Sequence, residues 1–76
     1  MRELEIGKKY RHFKGNFYRV ENVAFDCENL REKVIYRALY GDQVLWVRDK
    51  EDFLSEVGER KDNIINQRYR FDLVEE

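Results

Sequence analysis

His12, Cys27 and three arginines beside aromatic rings are the residues of this 76-residue chain whose chemistry could reach beyond packing. His12 is the single imidazole and Cys27 the single thiol. A Cys–His enzyme needs its base within hydrogen-bond reach of the thiol, with a third group to orient the base. No spacing links the two residues here, and nothing basic adjoins Cys27 to favour its thiolate. One histidine among scattered carboxylates also lacks the ligand spacing of a metal centre. The sequence therefore predicts no catalytic constellation, no metal and no cofactor. His12 itself, between Arg11 and Phe13, has two readings: a half-covered ring bonded to backbone, or a group that helps to bind an anion or a base.

Arg11 adjoins Tyr10, Arg37 adjoins Tyr36, and Arg48 follows Trp46-Val47. On adjacent strands their guanidinium groups would converge near aromatic rings, a surface able to stack on a nucleobase or clamp a phosphate or carboxylate. Tyr10, Arg11, His12, Tyr36, Arg37, Trp46 and Arg48 are accordingly the expected ligand- or partner-binding set. The competing reading has the arginine stems covering the sheet and pairing with Glu21, Asp42 or Glu32. It leaves Tyr36, Tyr40 and Trp46 as core residues with a wet polar edge. Lys14-Gly15-Asn16 lacks the several glycines and the strand-to-helix transition of a phosphate loop.

Three alternating runs must position these groups: Tyr10 to Phe13, Phe17 to Phe25, and Lys33 to Trp46. Aromatic and β-branched residues in period-two alternation, broken by Gly and Asn, predict hairpins of an antiparallel sheet. Strands are expected near 9–13, 17–25, 33–40, 44–48 and 68–74, after a lead-in over residues 1–7 ordered by Leu4 and Ile6. The faces of 17–25 are not cleanly divided, which predicts a bulge near Glu21-Asn22. Asp49 followed by Lys50-Glu51-Asp52, with Phe53, Leu54 and Val57 as a stripe and Gly58 after it, predicts a helix over 50–57. Apolar residues on both faces of neighbouring strands point to a curled sheet. The expected fold is mainly β: a small SH3-like antiparallel barrel of about five strands with that one helix.

Length and charge bound the rest. Seventy-six residues make one domain with one small core, and eleven aromatic rings supply its bulk. Net charge is −1, without the basic excess of a general nucleic-acid binder. The charge is uneven: residues 1–48 carry +3 and residues 49–76 carry −4. The plain reading is a basic sheet complemented by an acidic C-terminal part; the functional reading is a local basic surface for an anionic partner. A lone cysteine excludes an intrachain disulfide and suits a reducing compartment. No apolar stretch approaches the ~20 residues that cross a bilayer. The expected location is the cytoplasm, with no membrane partner.

Lys8 to Tyr18, Tyr36-Arg37-Ala38-Leu39-Tyr40 and Leu45-Trp46-Val47-Arg48 resemble, in order, a family of small bacterial proteins catalogued as domain of unknown function 1653. The likeness runs from about Gly7 to Val57. Family members typically continue the Trp-Val-Arg block with proline, where this chain has Asp49. The resemblance implies a small single-domain protein and brings no activity with it. The leading expectation is thus a binding module that recognises a protein or nucleic acid through an Arg/aromatic face. Two others stand beside it: a small-molecule or anion-binding accessory protein with His12 in the site, and a self-associating protein pairing through the 68–74 edge strand.

Overall fold

The alternation resolves into five strands, β1 (Lys9–His12), β2 (Phe17–Phe25), β3 (Glu32–Ala38), β4 (Leu45–Asp49) and β5 (Phe71–Leu73), and a single-turn helix α1 (Lys50–Phe53). These come from a computed structural model that describes residues 2–75; Met1 of the expected lead-in and Glu76 of the expected single domain lie outside the described residues. The strands form one antiparallel sheet in the order β4-β3-β2-β1-β5. Its ends are β4 and β5, so the sheet is open and mainly β, rather than a closed barrel.

Hairpin geometry sets the register. The Lys14-Gly15-Asn16 turn closes β1 onto β2, with Gly15 at φ +105° and its N–H donating to the His12 carbonyl at 2.8 Å. An L-residue is strained at that angle. Space is not the issue, since an added Cβ would meet nothing within 4 Å. Gly15→Ala is therefore expected to lower stability by about 1 kcal/mol through backbone strain alone, visible as a reduced urea midpoint. A midpoint equal to wild type would show that the turn relaxes at no cost. The bulge falls where the mixed faces place it: the β2–β3 register shifts between Val20 and Asn22.

One face of the sheet carries the core. Tyr10, Val20, Val34, Tyr36, Phe53 and Phe71 pack together, with Leu4, Tyr18 and Leu54 against their margin. Phe53 and Phe71 stack at 4.0 Å and 7° between ring planes, and Tyr10 and Tyr36 meet Phe53 edge-on. Ile6, in contrast, stays 55% exposed, so Leu4 alone of the lead-in pair joins the core.

The helix ends four residues sooner than its stripe predicts. Asp49 makes no side-chain cap; its carboxylate is drawn to Lys33, opposite it across β3–β4, and lies 3.7 Å from Arg31. After Leu54 the chain leaves the helix to bond a distant segment. Val57 N–H donates to the Arg68 carbonyl at 2.9 Å, and Arg70 N–H donates to the Ser55 carbonyl at 2.9 Å. Tertiary hydrogen bonds thus replace the second turn, and Gly58 (φ +75°) serves this return instead of a helix end. The last strand is likewise shorter than 68–74, because residues 68–70 are engaged by that returning segment.

Candidate functional site

Residues paired directly across an antiparallel sheet share a face, and neighbours along a strand take opposite faces. Val20, Tyr36 and Trp46 are mutually aligned, as are Val34 with Arg48 and His12 with Phe71. Tyr10, His12, Tyr36, Trp46 and Arg48 therefore lie on the core face. Arg11 aligns with Phe17 and Asp72, and Arg37 with Arg19 and Leu45, so both point to the outer face. The expected set of seven does not form one surface.

Three members are occupied internally. Arg11 is locked to Gln67: its Nε donates to Gln67 Oε1 at 2.9 Å, and Gln67 Nε2 donates back to the Arg11 carbonyl at 2.9 Å. Gln67 is buried, and no apolar pattern around it signals that role. Tyr10 is sealed, its hydroxyl accepting the Glu5 N–H at 3.0 Å. Arg37 reaches the Gln43 carbonyl at 3.0 Å and stands 3.8 Å from Glu21, one of the partners the sequence suggests for these arginines.

Tyr36 is buried in the core and keeps only its hydroxyl as a partner for Arg48. His12, Arg48 and Trp46 remain, and the fold adds residues that sequence spacing does not mark. Arg48 donates through Nε to the Tyr36 hydroxyl at 3.3 Å and through Nη1 to Asp52 at 2.5 Å. Asp52 also faces Arg70, whose Nε lies 3.8 Å away and is buried without a hydrogen bond. One carboxylate thus sits between two guanidinium groups, leaving local positive charge unbalanced. Tyr18 meets the Tyr40 hydroxyl at 2.7 Å and places its ring edge-on to His12, Tyr36 and Phe71. Burial, followed by that hydrogen bond, holds the Tyr18 hydroxyl protonated well above the ordinary phenol range. Tyr40 is about half exposed at this rim; Trp46 is as exposed and lies on β4, opposite Tyr36.

His12 reports the field there. Its Nδ1 accepts the Lys14 N–H at 3.1 Å, which assigns the ring proton of the neutral form to Nε2. Burial first, and then repulsion from Arg48, Arg70, Lys14 and Arg60, lower its pKa to about 4. Two carboxylates stand among these four cations, Asp52 by Arg48 and Arg70 and Asp62 by Lys14 and Arg60. At neutral pH the ring is an uncharged N–H donor in an electropositive setting. Neither of two surface clefts, one beside Lys9 and Arg19 and one beside Arg31 and Lys50, includes any of these groups.

Among the described residues, no three His, Cys, Asp or Glu side chains gather as a metal site requires. Cys27 is exposed on the β2–β3 connection, away from the His12 hairpin end. Among the described residues, no helix is long and apolar enough to cross a membrane.

A family model, Protein of unknown function (DUF1653), matches residues 8–73. The chain belongs to this family. The match passes well beyond Val57, where the sequence resemblance stops, and takes in the Gln67 loop, Arg70 and β5. No curated protein matches the DUF1653 chain, and no solved structure does. Membership therefore defines the relatives of this domain and leaves its activity uncharacterised.

Proposed function

We propose that this DUF1653 domain is a small binding module that takes an oxyanion of a protein partner at the rim formed by His12, Tyr18, Tyr40, Arg48 and Arg70. The observation that carries the reading is the pair of guanidinium groups sharing the single carboxylate of Asp52, beside a neutral His12 ringed by cations. Guanidinium forks match a carboxylate or phosphate bidentately, and the aromatic rim supplies apolar contact. The whole sheet is read as an SH3-like curl with α1 over one side, and the cytoplasm as its compartment, which suits the exposed unpaired Cys27.

Charge pairing favours a protein over a nucleic acid. Among the described residues, nine of the fifteen basic side chains have a carboxylate within ion-pair distance, much of it from the acidic C-terminal part. A nucleic-acid track needs an unneutralised basic stripe along the surface.

The test is a nuclear magnetic resonance titration of the intact domain with three probes: an aspartate-rich peptide, inorganic phosphate and a single-stranded oligonucleotide. The peptide is expected to shift His12, Tyr18 and Arg48 resonances and to raise the His12 pKa, since a bound anion offsets the surrounding cations. Arg48→Gln should weaken peptide binding about tenfold, the cost of one charged hydrogen-bonding group. Unmoved His12 and Arg48 resonances with every probe would end the proposal. Oligonucleotide binding with a steep salt dependence would transfer the site to nucleic acid.

A further inference from the structure

We propose that β4 is a self-association strand, through which two copies of this chain pair antiparallel, β4 against β4, across a two-fold axis. The inference goes beyond the oxyanion site and does not rest on it.

Backbone geometry comes first. Ala38 N–H donates to the Val44 carbonyl at 3.0 Å, and inward and outward residues alternate along an antiparallel strand. Val44, Trp46 and Arg48 therefore spend their backbone groups on β3. Leu45 and Val47 turn theirs outward, and among the described residues nothing bonds them. The opposite end of the sheet, where Tyr69-Phe71-Leu73 suggests pairing from sequence, is covered over residues 68–71, and only Leu73 keeps its outward backbone groups open among the described residues. Arg2 donates to the outward Phe71 carbonyl at 2.5 Å and to the Leu54 carbonyl at 3.0 Å, while Ser55 and Val57 bond Arg70 and Arg68. The longer free edge is thus β4.

Side chains agree. Val44, Leu45 and Trp46 are about half exposed, and Val47 is 64% exposed. Sheet edges are usually blunted by proline, a bulge or charge; Val44 to Val47 contains none of these, and charge enters only at Arg48 and Asp49. A second copy fits the edge specifically. With Trp46 on the axis, Leu45 lies opposite Val47 of the second copy, so outward backbone groups meet outward backbone groups. Val44 then covers the stem of Arg48 of the second copy. The same antiparallel arrangement brings Lys50, which pairs with Glu32 at 3.2 Å in its own chain, toward the Gly41-Asp42 turn of the other chain. Asp42 has no ion pair among the described residues. A five-residue strand spans only ~17 Å and buries less than the ~800 Å² per partner of a standard interface, so the dimer is weak and reversible.

Sedimentation of the intact domain from low micromolar to near-millimolar concentration tests this, with Trp46 emission followed in parallel. The expected result is a concentration-dependent shift from 9.4 kDa toward twice that mass, with Trp46 emission moving to the blue. Val47→Pro removes an N–H that β3 does not use, and Val47→Lys sets a charge against Leu45 of the second copy. Each should weaken association about tenfold or more, and the lysine variant retains the β3–β4 ladder if the proline variant fails to fold. A single 9.4 kDa species at all concentrations overturns the proposal. A dimer left intact by Val47→Lys also overturns it, by placing the interface elsewhere.

Discussion

Replacing Phe71 with alanine is expected to cost about 3–5 kcal/mol, most of the stability a domain of this size has. The reason is position. Phe71 is 1% exposed and stacks on Phe53 at 4.0 Å, while Tyr18, Tyr36 and His12 meet it edge-on at 4.9–5.6 Å. Five elements deliver those rings, from β1, β2, β3, α1 and β5, so the void left by alanine cannot close by a local shift. Urea unfolding read by far-ultraviolet dichroism checks the size of the loss. Phe25→Ala is the matched control: that ring is 69% exposed, and its loss should stay within about 0.5 kcal/mol. Equal losses at the two positions would refute the assignment of the core to Phe71 and Phe53.

Phe71 and Phe25 also show what period-two reading can deliver. Alternation places both in strands, and both strands form. It does not distinguish a ring under α1 from one carried past the bulge, because burial is decided by which distant element arrives. The scattering of the candidate site, however, was already legible. Arg11 follows Tyr10 and Arg37 follows Tyr36, and neighbours on a strand face opposite ways. Trp46 and Arg48, two apart, keep company on one face. Arg70 and Asp52 were not legible as site residues. Their meeting with Arg48 depends on the helix stopping after one turn, and that depends on Ser55 and Val57 finding Arg70 and Arg68. The helix length followed the same rule: an acidic residue at Asp49 signals a cap only while no lysine stands opposite it.

Acid should weaken the fold through His12 before it touches the carboxylates. In the unfolded chain the imidazole titrates near 6.5, and in the folded domain near 4, because burial and four nearby cations penalise its charged form. Between these values the unfolded chain holds the extra proton, so stability is intact above about pH 6.5 and falls as pH approaches 4. At about 1.4 kcal/mol per pKa unit the unscreened loss is near 3 kcal/mol. The ring is only partly covered, and solvent screening reduces this to about 1–2 kcal/mol. Asp49 and Asp62, held below the carboxylate range by hydrogen bonds from Lys33 and Arg60, release their stabilisation only below that window. Urea midpoints of wild type and His12→Asn, taken at neutral pH and just above pH 4, separate the contributions. Asparagine can still accept the Lys14 N–H, and the variant should lose the decline between the two conditions. An equal decline in both proteins would show that His12 is not the group whose protonation opposes folding.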